Sequence, residues 1–524
     1  MLHDTFTTCG GHILTDVTSA GCLLLDIAPR SFTSYKFHIP FNLLCFSSPS
    51  AVHNWISFAF FAIYAIVILF CVVVVVTENK NPIRAVSWTL ALLFLPVVGM
   101  VFYLFFGRGL KGQSLISNRV RRRMLSRSRS SQKNFAYTDV DPSQVQKIKL
   151  AHSLCHAHLD LGNSVEIFTD GPDKFRQLKK DIEEASQFIY IQYYIYSDDR
   201  LGNEILELLA RKAKEGVEVK VLYDHVGSFS TPNSFFRRMR SLGIDAHPFF
   251  RVTFRKLANR INWRNHRKIT VIDGKIGYIG GMNIADRYVE VSPSGRIWRD
   301  THLRVRGPII ESMLYSFYMD WNFLRPADEV QTIIPTHYET CGDVPLQLVT
   351  SGPIDKWSNL VLCFQNAIAS ATKRIYIQTP YFLPTDALLK ALQGAALSGV
   401  DVRIMIPEHT DSRMLGYGSC SYIDDCLKAG IKIYFYLPGM LHAKTMVVDD
   451  NFASAGSVNF DFRSFENNFE GNLMIYSEAI NRQMRDIFFA DLRQSRKVTK
   501  TEWKRRSLHT KLLESLVRLF APIL

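Results

Sequence analysis

The chain has 524 residues, 62 Lys and Arg against 48 Asp and Glu, a net charge of +14 and 47% hydrophobic residues. That length leaves room for several domains or one large duplicated one, and the charge favours anionic partners, either phospholipid head groups or nucleic acid. Nine cysteines are dispersed with no Cys-x-x-Cys, which argues against a zinc site or a disulfide scaffold and fits reduced thiols facing a cytosol.

Residues 1–54 carry little charge and no Lys/Arg-rich start, so a conventional signal peptide is not expected, and this leader has no assigned role. Trp55 to Val76 is a 22-residue run without a charge. At about 1.5 Å per residue it is long enough for a bilayer core of roughly 30 Å. After the short polar loop Thr77–Arg84, a second apolar run extends from Ala85 to Phe106, interrupted by Pro96 and Gly99. Both breakers are tolerable in a membrane helix, so residues 55–106 are expected to form two transmembrane helices. From Arg108 to Lys133 the chain holds nine Lys/Arg and no acid. This basic juxtamembrane linker, 107–138, belongs on the cytoplasmic side and attracts anionic lipid.

The body divides into two similar halves, 139–330 and 331–500. TDGPDKF at 169–175 has a counterpart in TSGPIDKW at 350–357, FIYIQYYIYSDD at 188–199 in RIYIQTPYFLPTD at 374–386, and EGVEVKVLYD at 215–224 in SGVDVRIMIPE at 398–408. Each set alternates helix and strand, which predicts an α/β duplication. Between them, Arg251–Arg267 is basic with interleaved aromatics; it suits a nucleic-acid backbone or lipid head groups at the mouth of a site, and the apolar runs favour lipid. The tail, 501–524, repeats Leu508, Leu512, Leu516, Leu519 and Phe520 at three- and four-residue steps, with Lys504, Arg505, Arg506, Lys511 and Arg518 for charge. An interfacial helix and a helix packed on the body fit that pattern equally.

The chemistry concentrates in two stretches. HRKITVIDGKIGYIGGMN carries His266, Lys268 and Asp273 before a Gly-Gly-x-Asn turn ending at Asn283. HAKTMVVDDNFASAGSVN, 176 residues on, carries His442, Lys444 and Asp449 before Gly-Ser-x-Asn ending at Asn459. His to Asn is 17 residues in both copies, and Asp to the first Gly is 7 in both. On a strand, i and i+2 share a face, so His and Lys point together, while Asp starts from the other face and is read as a supporting partner. An imidazole that reacts through one nitrogen needs the other held, which a carboxylate commonly does. One His, one Lys and one Asn make half of a phosphoryl-transfer site: a nucleophile, an acid and donors for the equatorial oxygens.

The duplicated His-x-Lys-x4-Asp with its Gly-Gly/Ser-x-Asn turn resembles the phospholipase D superfamily, and the membrane-anchored layout is similar to its bacterial cardiolipin synthases. The resemblance covers roughly residues 55–524, and Asn81–Arg108 is similar to the anchor of those synthases. Trp298–Asp300 and Asn467–Glu470 match positions that follow each motif in the superfamily. The resemblance implies paired phospholipase D-like α-β sandwich halves after a two-helix transmembrane hairpin, in the bacterial inner membrane with the catalytic body cytoplasmic. It also implies that His266 is the nucleophile and His442 the acid and base. Lys268, Lys444, Asn283 and Asn459 would bind phosphoryl oxygens, and Asp273 and Asp449 would hold and polarise their neighbours. Neither a metal nor another cofactor is required, because exchanging one phosphodiester for another is nearly isoenergetic. The expected reaction joins two phosphatidylglycerols into cardiolipin and glycerol, with anionic phospholipid and membrane as partners and no nucleic acid. Hydrolysis to phosphatidic acid, transfer to another head group, and a nuclease are the alternatives.

Overall fold

The structure, a computed structural model, describes residues 82–103, 140–251, 263–291, 297–324 and 338–521, with scattered positions between 58 and 77. The leader 1–54, the basic linker 107–138 and the centre of the Arg251–Arg267 stretch lie outside the described residues. Residues 1–66 and 67–524 form two compact units.

In the second apolar run the chain forms two helices, Pro82–Phe94 and Pro96–Phe102. Leu95 between them sits at φ −135 and ψ 64, outside the helical region, as the residue before a proline is pushed to be. A Cβ on Gly99 would come within 2.7 Å of the Ala91 carbonyl oxygen, so the two pieces meet closely only because position 99 is glycine. No helix among the described residues is long and apolar enough to cross a membrane. The single span expected at Ala85–Phe106 is therefore two shorter helices.

The body is built on one 16-stranded sheet. From the middle outward, the first half runs through strands 160–168, 302–306, 276–280, 269–272, 188–193, 218–224 and 245–249. The second half runs the other way through 344–351, 468–475, 452–456, 445–448, 374–378, 401–407 and 432–436, with 495–497 added at the edge. The orders mirror one another about the seam, where Asp160–Phe168 pairs antiparallel with Val344–Ser351. Asn163 pins that seam: its amide donates to the Val344 carbonyl at 3.0 Å and its Oδ1 accepts from Ile309 N at 2.8 Å.

The duplication persists in local detail. The strands Phe188–Tyr193 and Ile269–Ile272 are buried throughout, which explains why they read as continuous apolar runs rather than alternating ones. Helices Arg200–Lys214 and Asp386–Leu397 are capped by Asp199 and Thr385. Each is followed by a glycine at positive φ, Gly216 and Gly399, as helix ends prefer. One apolar core lies under each outer helix layer. A third core, on the other face of the sheet, joins Tyr190, Phe317 and Trp321 of the first half with Leu473, Met484 and Phe488 of the second. That shared core fixes the halves against each other and so fixes the spacing of whatever each contributes to a common site.

Candidate active site

The two motif histidines sit just before their strands, in extended links that follow short strands Arg264–Asn265 and Gly439–Leu441. Those short strands pair with the opposite half. Arg264–Asn265 lies parallel to Asn468–Phe469, and Gly439–Leu441 lies parallel to Ile297–Arg299. The histidine backbones continue the exchange: His266 N donates to Phe469 O at 2.9 Å, and His442 N to Arg299 O at 2.7 Å.

The side chains follow the same crossing. His266 Nδ1 lies 2.9 and 3.1 Å from the two carboxylate oxygens of Glu470. His442 Nδ1 lies 2.6 Å from Asp300 Oδ2. Each histidine is thus held by a carboxylate of the other half, with Nδ1 engaged and Nε2 left for chemistry. The glycine turns explain how the carboxylates fit. A Cβ on Gly281 would lie 2.2 Å from Asp300 Oδ1, whereas the equivalent Ser457 uses its hydroxyl to donate to Glu470 Oε2 at 2.5 Å.

Lys268 Nζ donates to the His266 carbonyl at 2.5 Å, and Lys444 Nζ lies 2.8 Å from His442 Nδ1. Both lysines are buried. The Tyr194 ring stands edge-on to His266 at 4.8 Å, and the Tyr288 hydroxyl is 3.2 Å from His442 Nδ1. Asn283 donates to that Tyr288 hydroxyl at 3.2 Å and accepts from Ile195 N at 3.1 Å. Asn459 hydrogen-bonds Asp461, and its buried Oδ1 has no partner among the described residues. The structure therefore gathers His266, Lys268, His442, Lys444 and both asparagines into one polar cluster.

Burial dominates the titration of this cluster. It lowers His266 to about 4 against the raising charge of Glu470, and it lowers His442 well below the usual imidazole range. It raises Asp300 to about 6, opposed by Lys444, and lowers Lys444 to about 8, opposed by Asp300. Lys444 also acts on His266, and Lys268 and His266 act on His442, so the halves share one electrostatic field.

Two expectations are corrected. Asp273 and Asp449 do not hold their histidines. Asp273 accepts from the backbone N–H groups of Ser186, Gln187 and Phe188 at 2.7, 2.8 and 2.9 Å, and Asp449 from those of Thr372, Lys373 and Arg374. Both stand at positive φ, 52 and 50, at the far end of the motif strand, where they fasten the turn to the start of the neighbouring strand. The second correction concerns only the end of Arg251–Arg267, since 252–262 lie outside the described residues. Arg264 and Arg267 are buried against acids of the body, Asp224 and Asp320. Arg267 pairs with Asp320 at 2.6 Å and donates to the Glu470 carbonyl at 3.0 Å, so it braces the strand that carries Glu470.

A family model described as cardiolipin synthase, PLD-like domain matches residues 178–293 and 364–492, and one described as phospholipase D-nuclease N-terminal matches 65–108. The chain is 40% identical over 468 residues to the major cardiolipin synthase of Bacillus subtilis, covering 87% of this chain and 97% of that one. It is 39% identical over 470 residues to a cardiolipin synthase of Listeria monocytogenes, with the same coverage. The solved phosphatidylserine synthase of Haemophilus influenzae shares the fold, with a TM-score of 0.55 at 15% identity over 72% of this chain and all of that one. With a duplicated sheet, a motif from each half in one polar cluster, and identity of this extent, the chain belongs to the cardiolipin synthase family of phospholipase D-like proteins.

Proposed function

We propose that the chain is a phosphatidyltransferase that joins two phosphatidylglycerol molecules into cardiolipin and releases glycerol. The observation that carries this reading is the crossed pair, Glu470 on His266 and Asp300 on His442, which presents two imidazoles to one space through the same nitrogen. Burial keeps His266 neutral near pH 7, as a nucleophile must be. Its Nε2 attacks the phosphorus of one phosphatidylglycerol, and the bond from phosphorus to the glycerol oxygen breaks. His442 gives its proton to that oxygen, so glycerol leaves and phosphatidyl-His266 remains. The glycerol head of the second lipid then loses a proton to His442, attacks phosphorus and restores His266. The anionic phosphodiester supplies the opposite charge that raises His442 into its protonated form on binding. Lys268, Lys444 and the Asn283 and Asn459 amides answer the charge on the phosphoryl oxygens.

The anchor belongs to the same reading. Residues 55–106 form a membrane-embedded hairpin, its second leg broken at Leu95 into two helices, that holds the body at the cytoplasmic face of the inner membrane. Its support is the matched N-terminal domain and the large apolar side chains exposed there, among them Phe58, Phe61, Leu69, Leu93 and Phe94. The test is incubation of the purified full-length chain in detergent with labelled phosphatidylglycerol. Cardiolipin with equimolar glycerol is expected; phosphatidic acid alone would reassign the protein to hydrolysis.

A further inference from the structure

The last helix, Leu508–Leu519, docks on the body by one side and exposes an apolar stripe on the other. One side is already used. Glu514 and Val517 are buried, and Val517 packs beside Gly418 of the helix Arg413–Cys420. Arg518 pairs with Asp425 at 2.8 Å and lies 4.1 Å from the Tyr422 ring. The opposite side carries Leu508, Leu512, Leu516, Leu519 and, just beyond the helix, Phe520. These are exposed by 84, 62, 48, 75 and 48%. At about 100° per residue these five fall within roughly one third of the helix circumference. Folding does not require them there, because the helix is docked by its other face, and contiguous exposed apolar surface marks an interaction site.

The charges beside this stripe select its occupant. Lys504 and Arg505 are exposed at the turn before the helix, and Lys511 flanks the stripe. The nearest acid in that turn, Glu502, is engaged by Arg496 at 2.5 Å. A second copy of the chain docked on this face by a two-fold axis would bring the same cations together. An anionic lipid surface would neutralise them while burying the leucines. The helix on which this one docks exposes Met414 and Tyr417. It follows a loop whose Asp411 accepts from the Tyr381 hydroxyl and whose charge reaches His442 and Lys444.

We propose that Leu508–Phe520 is a bilayer-docking face that lies among the head groups of anionic lipid with its leucines in the acyl boundary, beside the mouth of the active site. The proposal deepens the phospholipid reading, and lipid contact is measured independently of turnover. The full-length chain carrying the photoreactive residue p-benzoylphenylalanine at position 516 is reconstituted in vesicles of phosphatidylglycerol and phosphatidylcholine and irradiated, and its adducts are identified by mass spectrometry. The comparison probe is at position 180, exposed on the helix Gly171–Glu183. Lipid adducts at 516 at least tenfold above those at 180 are expected. Adducts to a second copy, equal yields at both positions, or no adduct at 516 would each overturn the proposal. A preparation inactive on phosphatidylglycerol that still gives the lipid adduct would count against the catalytic reading and leave this one standing.

Discussion

Glu470 of the second half holds Nδ1 of His266 in the first at 2.9 Å, across 204 residues of sequence. Asp300 and His442 repeat the relation in the opposite direction. The crossing makes separable expectations. Glu470→Gln keeps an acceptor but loses the charge, so it should slow formation of the covalent intermediate by about 10²–10⁴ in rapid-quench experiments, the usual range for impaired acid–base and nucleophile support. Asp300→Asn should slow departure of glycerol and activation of the acceptor to a similar degree. Equal rates of intermediate formation in wild type and Glu470→Gln would separate Glu470 from the nucleophile.

Two of the groups that burial shifts toward neutrality, Asp300 and Lys444, set an expected dependence on pH. Asp300, raised to about 6, must be ionised to hold His442, so kcat/KM should rise through pH 6. Lys444, lowered to about 8, must be protonated to meet the phosphoryl oxygens, so kcat/KM should fall above pH 8. Lys444→Arg keeps its charge to far higher pH and should move the basic limb upward by more than one pH unit, even if the plateau is lower. An unmoved limb would assign it to another group.

Lys444 is also a stability liability. Moving an ammonium from 10.5 to about 8 corresponds to roughly 3 kcal/mol against its charged form, at about 1.4 kcal/mol per pH unit. Its folded pKa lies below its unfolded one, so the unfolded state binds more protons between pH 8 and 10.5, and wild-type stability climbs through that window. Lys444→Met should therefore be inactive yet melt several degrees higher at pH 7. That advantage should shrink toward pH 10.5. A melting temperature lower than wild type at pH 7 would contradict this.

Asp273 should behave as a structural residue. Backbone N–H groups from Phe188, Ser186 and Gln187 hold its carboxylate below the usual range against the opposing effect of burial. Asp273→Ala strips those donors of their acceptor and places alanine at a positive φ, which should cost about 1–3 kcal/mol. Well below its melting temperature, the variant should keep kcat/KM within about threefold of wild type and the same pH profile. A shifted pH profile would return Asp273 to the catalytic cluster.

Two glycine substitutions should have opposite effects. Gly281→Ala collides with the Asp300 carboxylate, and should lower activity at least as much as Asp300→Asn. Gly394→Ala lies inside the helix Asp386–Leu397, where an added Cβ meets nothing within 4 Å. It should raise stability by up to about 1 kcal/mol and leave activity unchanged, by chemical denaturation and product assay.

The motif spacing carried the histidines, lysines and asparagines because each set lies within one turn and its flanking strands. It could not reveal what holds the histidines. Local spacing does not encode partners 204 and 142 residues away on the other half. One signal was present: Asp273 lies an odd number of steps from Lys268 and so is not expected to join it, and in the structure Asp273 instead binds the backbone N–H groups of Ser186, Gln187 and Phe188. A second lay in the resemblance, which singles out Trp298–Asp300 and Asn467–Glu470, the two segments that end in the carboxylates the structure places on His442 and His266. The end of the basic stretch misled for a related reason. Arg264 and Arg267 look exposed until Asp224 and Asp320, remote in sequence, draw them inward. At Pro96 the apolar run was legible, but the helix break was not, because the same residues also satisfy a kinked membrane helix.

The seam between Asp160–Phe168 and Val344–Ser351 has a mechanical consequence. Hydrogen bonds weld the halves into one sheet, and a shared apolar layer backs the weld, so among the described residues the two halves are not lobes free to swing together on a substrate. The gap between the two imidazoles is set by the architecture before any lipid arrives. Motion during a turnover then falls to the loops at the rim and to the lipids themselves. On the proposed reaction, the first glycerol must leave before the second lipid head takes its place between two imidazoles that do not move apart.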